Sequence, residues 1–388
     1  MDFDKVIERR GTHCMKWDMM EHMYGVPSDE GIAMWVADMD FLPPEAARSA
    51  LQSLVGHGIY GYYGDDRDYR KAICWWMDSR HGWNVEPEWI HTVHGLVNGT
   101  ALCIDAFSSP GDGIVLFTPV YHAFARVIRA AGRRIVECPL EIRNERYAMN
   151  FANYDALMSG EERLAILCSP HNPGGTVWSR DELREVAEFC ERHDLVLVSD
   201  EIHHDLVLPG RSHTPMPLAV PSIANRLVMM TATTKSFNIA GAHCGNVIIQ
   251  DEALRKTFAR KITALGISPN SFGMFLAEAL YSPEGAAWID AVVQYIEENC
   301  SIFDTSINGI AGLKSMPLDA TYLAWVDFSG TGLPPSEFTR RVEQEAKIAV
   351  NHGPTFGSGG ENFLRFNLAT PRSLVERAIE RLDRAFKF

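Results

Sequence analysis

Six short apolar runs alternating with helical stretches constrain this chain more than any other feature. They are Ile114–Thr118, Arg134–Cys138, Leu164–Cys168, Leu195–Ser199, Leu227–Met230 and Asn246–Ile249, and a shorter run at Thr92–His94 makes a seventh. A sheet wetted on one face would alternate apolar and polar side chains, whereas near-continuous apolar strands need cover on both faces. Strands separated by helices meet that need, so the pattern predicts an α/β fold with a mostly parallel seven-stranded sheet between helices. Ligands of such sheets bind at the carboxyl ends of the strands. The polar clusters Ser169–Thr176, Asp200–His203 and Thr231–Gly241 all fall at such ends.

A chain of 388 residues exceeds one ordinary core. Residues 1–45 read as an arm and lead-in segment that packs with a smaller domain, 46–283 as the large domain, and 284–388 as that smaller α+β domain. In the last part, helices are expected over 286–310, 335–347 and from Ser373 to the end, with strands at Ala320–Asp327 and Phe363–Leu368. Gly58–Asp66 alternates glycine with tyrosine and predicts a loop. The acidic pair Asp38 and Asp40 follows the apolar Ile32–Ala37 and, taken alone, reads as a strand-end turn.

Charge narrows the partners. A net charge of −14 leaves no basic surplus to meet phosphate, which argues against nucleic acid and anionic membrane. None of the eight cysteines forms a C-x-x-C pair, so buried free thiols in a reducing cytoplasm are expected rather than disulfides or a zinc site, and no metal is expected. The charged Met1–Lys5 lacks the apolar core of a secretory leader, and no apolar run reaches membrane-spanning length.

Three strand ends carry Asn172, Asp200 and Lys235 in that order. Each has an ordinary reading alone: an Asx turn before Pro173, a helix cap, an exposed lysine. Together they supply an amide for a ring hydroxyl, an acid for a ring nitrogen and an amine for a Schiff base, which is what pyridoxal 5'-phosphate (PLP) needs. The turn Val97–Thr100 opens a helix and offers free N–H groups for the phosphate.

At these residues the chain resembles the fold-type I PLP enzymes, the aspartate aminotransferase superfamily, over nearly its whole length. Ser169-Pro-His-Asn172-Pro-Gly-Gly, Ser199-Asp200-Glu-Ile-His203, Thr234-Lys235 and Leu364-Arg365-Phe-Asn367 stand in the family order. Met34–Phe41, Lys235–Gly241, Phe356–Arg365 and the segments Arg9–Thr12 and Lys16–Asp18 are similar to its cystathionine β-lyase/C–S lyase subgroup of MalY/PatB type. The resemblance implies the PLP-dependent transferase fold and the following roles. Lys235 holds the cofactor as a Schiff base and then moves the proton. Asp200 pairs with the pyridine nitrogen, Asn172 and His203 bond the ring hydroxyl, and Tyr121 stacks on the ring. Val97 and Asn98 N–H groups, with Thr233 or Thr234, hold the phosphate. Tyr62 reaches the phosphate of a neighbouring copy, which implies a homodimer with a shared site. Arg365 clamps the substrate carboxylate, and Ala37 and Asp38 line the same pocket.

Two positions depart from the broader signature. His243 stands where a phosphate-binding arginine is usual, and Ala232 where serine or glycine is, so less fixed positive charge is expected around the phosphate. No second arginine is evident to read a distal carboxylate. The subgroup motifs imply a C–S β-lyase giving a thiol, pyruvate and ammonia; the alternative is an aminotransferase on the same site. Some superfamily chains are regulators fused to DNA-binding domains, a role this chain's acidity weighs against.

Overall fold

The computed structural model describes residues 1–268 and 270–387. Its centre is a sheet of seven strands: β1 (Ile90–Val93), β2 (Gly113–Thr118), β3 (Arg134–Pro139), β4 (Glu162–Cys168), β5 (Val196–Asp200), β6 (Leu227–Thr231) and β7 (Gly245–Ile248). Their spatial order is β1-β7-β6-β5-β4-β2-β3. The strands from β2 to β6 run parallel, and β7 is antiparallel to both of its neighbours. The mostly parallel sheet predicted from the apolar runs is therefore present. Every residue of β2 and β6 is buried, as two-sided cover requires.

The helices that matter for the site are α1 (Leu96–Phe107), α2 (His122–Ala130) and the single turn α3 (Thr233–Ser236). Helix α1 starts five residues before the apolar stretch expected from Ala101. Gly95 takes a φ of 83° and turns β1 straight into it. Farther along, α4 (Pro283–Ile307) begins three residues earlier than expected, because the Ser282 side chain accepts from the Gly285 N–H and Pro283 opens the first turn.

A second sheet follows, in the order β8-β9-β11-β10, made of β8 (Lys314–Ser315), β9 (Leu323–Asp327), β10 (Asn351–His352) and β11 (Phe363–Asn367). The helix expected over 335–347 is α-helical only at Pro335–Arg340 and continues as a wider π turn at Arg341–Glu345. The final helix, α5 (Arg372–Ala385), stops short of the chain end, and Phe388 lies outside the described residues. Gly58–Asp66 is irregular, as expected. Only Ile32–Ala33 of the lead-in segment forms a strand, paired in parallel with Ile348–Ala349. Among the described residues no helix is long and apolar enough to cross a membrane.

Candidate active site

A cavity of about 420 Å³ opens at the carboxyl ends of β4, β5 and β6. Of the residues singled out in the sequence, Ala37, Val97, Tyr121, Asn172, Asp200, His203, Thr234 and Lys235 line it. The elements explain the convergence. Strand β5 ends on Asp200, β4 delivers the Asn172 turn, α1 brings Val97, and the turn α3 after β6 presents Lys235. Phe237, fully buried, pins the residue after α3 into the core.

Lys235 Nζ donates to the Ala37 carbonyl, which also accepts from Tyr322 Oη at 3.0 Å. Its amine is lowered to about 8, chiefly by burial. Arg365 pushes it the same way, while Asp38 and Asp200 oppose. Asp200 is pushed up to about 7 by burial, and among the described residues its carboxylate accepts a single hydrogen bond, from Ile202 N–H at 3.1 Å. Burial drives His203 down to about 3, so its imidazole is neutral.

Five predicted residues lie outside the cavity lining. Arg365 is 2% exposed and sits behind Asn172. Its Nη1 donates to Asn172 Oδ1 at 2.9 Å, and Nη2 reaches Trp35 O at 3.0 Å and Asn351 Oδ1. Its Nε has no hydrogen-bond partner among the described residues. Asn98 uses its side chain to accept from His94 N–H at 3.2 Å. Thr233 is buried with its hydroxyl unpartnered. Asp38 turns its carboxylate onto Arg9. Tyr62 is 99% exposed and lines a separate surface hollow with Tyr60, Phe272 and Phe275.

One expectation is corrected. A second arginine does reach the site: Arg126, on α2, lines the cavity, as does His243. The sequence offers no sign of this, since Arg126 and Arg129 look alike until the phase of α2 sets which of them faces the cavity. Positive charge near the cavity is therefore greater than the absence of an arginine at position 243 suggested.

Two residues of the same turn that the sequence does not mark as functional are His204 and Asp205. Both are buried behind α3 in a dense polar network. Asp205 accepts from Ser236 Oγ at 2.6 Å, Trp76 Nε1 at 3.0 Å and His81 Nε2 at 2.9 Å, and lies 3.4 Å from His204 Nε2. Although burial opposes both charges, His204 holds Asp205 well below the usual carboxylate range, and Asp205 in turn raises His204. The His81 ring stacks on His204 at 4.0 Å and is pushed down to about 4, first by burial and then by that neighbour.

The donor set fits PLP. Among the described residues the Asp200 carboxylate forms no salt bridge, though Lys235 and His204 act on it from farther off, and Thr233 Oγ1 and His203 Nδ1 are buried without a hydrogen-bond partner. Buried polar groups are normally satisfied, so these mark places for a ligand's atoms. A strand-end lysine facing such a carboxylate, at the carboxyl edge of a mostly parallel sheet, defines the fold-type I class of PLP-dependent enzymes. The chain belongs to the class I and II aminotransferase family, whose profile matches residues 30–382. It is 38% identical to the cystathionine β-lyase PatB of Bacillus subtilis, over 99% of this chain and 100% of that one. The crystal structure of cystalysin from Treponema denticola, which contains PLP, covers 99% of this chain and 98% of its own, with a TM-score of 0.94 and 32% identity. The PLP-bound C–S lyase of Staphylococcus hominis, complexed with L-cycloserine, gives a TM-score of 0.92 and 28% identity, covering 100% and 98%.

Proposed function

We propose that this chain is a PLP-dependent carbon–sulfur β-lyase, which cleaves cystathionine or other cysteine S-conjugates to a thiol, pyruvate and ammonia. The observation that carries it is the Lys235 amine, lowered to about 8 and placed in one cavity with an under-bonded Asp200. Similarity to lyases along the full chain supports elimination over amino-group transfer.

Bound PLP supplies an electron sink for the carbanion at the substrate Cα. The residues that would hold it are Asp200 for the ring nitrogen, which it would keep protonated, Asn172 and His203 for the ring hydroxyl, and Tyr121 for the ring itself. The Val97 and Asn98 N–H groups at the start of α1, with the Thr233 or Thr234 hydroxyl, would take the phosphate. Arg365 binds the substrate carboxylate, and Ala37 with Asp38 flanks it. Lys235 Nζ removes the Cα proton; an amine near pH 8 is partly free at neutral pH and matched to that task. The Cβ–S bond then breaks and the thiolate leaves with its electron pair. The remaining three-carbon fragment takes up one water and gives pyruvate and ammonium.

A second copy of the chain completes the site with Tyr62. The exposed Ile59 (73%), Tyr60 (57%) and Tyr62 (99%), beside Phe272 and Phe275, support such a homodimer, since large apolar patches are rarely left in water. Eight unpaired cysteines support a reducing, cytoplasmic setting.

The test is to supply the PLP-loaded protein with L-cystathionine and, separately, an S-alkylcysteine. Pyruvate and thiol in equal amounts over many turnovers are expected. Conversion of an added keto acid to an amino acid, with no thiol released, would make the protein an aminotransferase.

A further inference from the structure

The strip Trp35–Phe41 touches the cavity at Ala37 and has little strand pairing, yet its carbonyls are held by side chains from three directions. Trp35 O accepts from Arg365 at 3.0 Å, and Val36 O from Asn367 at 2.6 Å. Ala37 O accepts from Lys235 and Tyr322. Asp38 O accepts from Asn367 at 2.6 Å and Lys16 at 3.3 Å, and Met39 O from Asn238 at 2.8 Å and Arg9 at 3.1 Å.

Arg9 and Lys16, both from the N-terminal arm, also close on the strip's two carboxylates. Arg9 spreads its fork over Asp38, Nη1 to Oδ1 at 3.1 Å and Nη2 to Oδ2 at 2.7 Å, and Nη1 also reaches Asp40 Oδ1 at 2.6 Å. Lys16, fully buried, sets Nζ 2.7 Å from Asp40 Oδ2, and Trp17 Nε1 donates to Asp40 Oδ1 at 2.9 Å. Burying charges is costly unless geometry and hydrogen bonding are good, and here both are. This clasp sits on the residues that follow Ala37, whose carbonyl holds the lysine amine. It also neutralises Asp38, the strip's carboxylate that draws Lys235 toward its charged form.

We propose that Arg9 is a positioning residue: through Asp38 and Asp40 it fixes the Ala37 carbonyl as the resting acceptor for the free Lys235 amine, and it cancels the carboxylate beside that amine. This rests on the reading of Lys235 as the proton-moving amine. The charged groups facing Lys235 are Asp38 from the strip, Asp200 from β5 and Arg365 from β11, with Tyr322 from the loop before β9 sharing its acceptor. Loss of Arg9 therefore leaves Asp38 with Lys16 alone, 3.7 Å from Oδ1 and already bound to Asp40, and raises the amine's pKa. A lysine at position 9 keeps the charge but cannot copy the fork.

The experiment follows trace acetylation of Lys235 against pH, by mass spectrometry, in the cofactor-free full chain. Arg9→Gln is expected to move the midpoint up by about one unit, Asp38→Asn to move it down, and Arg9→Lys to leave it within a few tenths of a unit of the parent. With PLP and saturating cysteine S-conjugate, both Arg9 variants are expected to lose about tenfold in kcat at nearly unchanged KM, since a misplaced base acts after binding. Circular dichroism confirms folding, and Arg9→Lys keeps the test valid should Arg9→Gln not fold. An unmoved midpoint in Arg9→Gln, or full kcat in Arg9→Lys, overturns the proposal. Expected midpoint shifts in a protein with no lyase turnover would uphold the clasp's charge effect and overturn the lyase reading instead.

Discussion

The segment Asp200 to Asp205 faces two different worlds, and the contrast separates architecture from chemistry. On the side away from the cavity, Glu201 accepts from Ser199 Oγ at 2.9 Å, Met216 N–H at 2.9 Å and His213 Nε2 at 2.8 Å, while Asp205 holds Ser236, Trp76 and His81. On the cavity side, Asp200 accepts one backbone hydrogen bond and His203 Nδ1 has no partner. Both sides are buried and polar. Although His204 Nδ1 and His213 Nδ1 are themselves unpartnered among the described residues, the floor's two carboxylates are filled and make it rigid, whereas a carboxylate left short of partners, as Asp200 is, waits for a ligand. The floor serves the cavity directly, because Ser236, which Asp205 grips, follows Lys235 on α3.

The comparison can be broken from either side. The largest expected effect is on the floor. Asp205→Asn removes the carboxylate that raises His204 and that accepts from Ser236, Trp76 and His81, and removing one partner of a buried pair costs about 3–5 kcal/mol, so the thermal midpoint of the cofactor-free chain should drop by several degrees. A midpoint equal to the parent's would mean that the pair contributes nothing. Next comes Asp200→Asn, which should lower kcat about 10²–10³-fold while leaving the cofactor-free chain no less stable at pH 8. The sign follows from Asp200's raised value of about 7: between about pH 4 and 7 the folded chain holds more protons than the unfolded one, so stability falls as pH rises through this window. The asparagine variant escapes that loss. A fall in its melting temperature at pH 8 would place Asp200 with the floor instead.

The smallest effect sharpens the contrast further. Lys235, near 8 when folded against about 10.4 in an unfolded chain, binds fewer protons folded than unfolded between those values. Stability of the cofactor-free chain should therefore rise with pH from about 8 to 10.4, by at most about 3 kcal/mol, relative to a Lys235→Met variant. Parallel pH–stability curves for the two would mean that the amine is not held down by its site.

Much of this was legible beforehand, for identifiable reasons. A two-sided sheet forces continuous apolar strands, so the runs through Val115, Ile166, Val198 and Val228 gave away the fold, and Asn172, Asp200 and Lys235 stood out because polar residues at such strand ends have few structural duties. His203 and His204 were harder: adjacent imidazoles of the same type are parted only by which way the turn after β5 points them. Arg126 depended on helix phase, and the Arg9–Asp38 and Lys16–Asp40 clasp on contacts 29 and 24 residues apart. Short-range pattern carries no information about such pairings. The change from α to π winding at Arg341 left no mark in the local sequence either.

The strip Trp35–Phe41 has one more consequence. It is fastened mainly by backbone carbonyls, with Asp38 and Asp40 its only charged side chains, so what holds it in place is almost indifferent to which residue stands at position 37. A substitution at Ala37 would add bulk to the cavity wall while leaving the carbonyl where Lys235 meets it. The molecule thus offers a dial for substrate size mounted on a fixed bearing. Each larger residue there narrows the cavity and trims the range of groups it accepts, without loosening the machinery beneath.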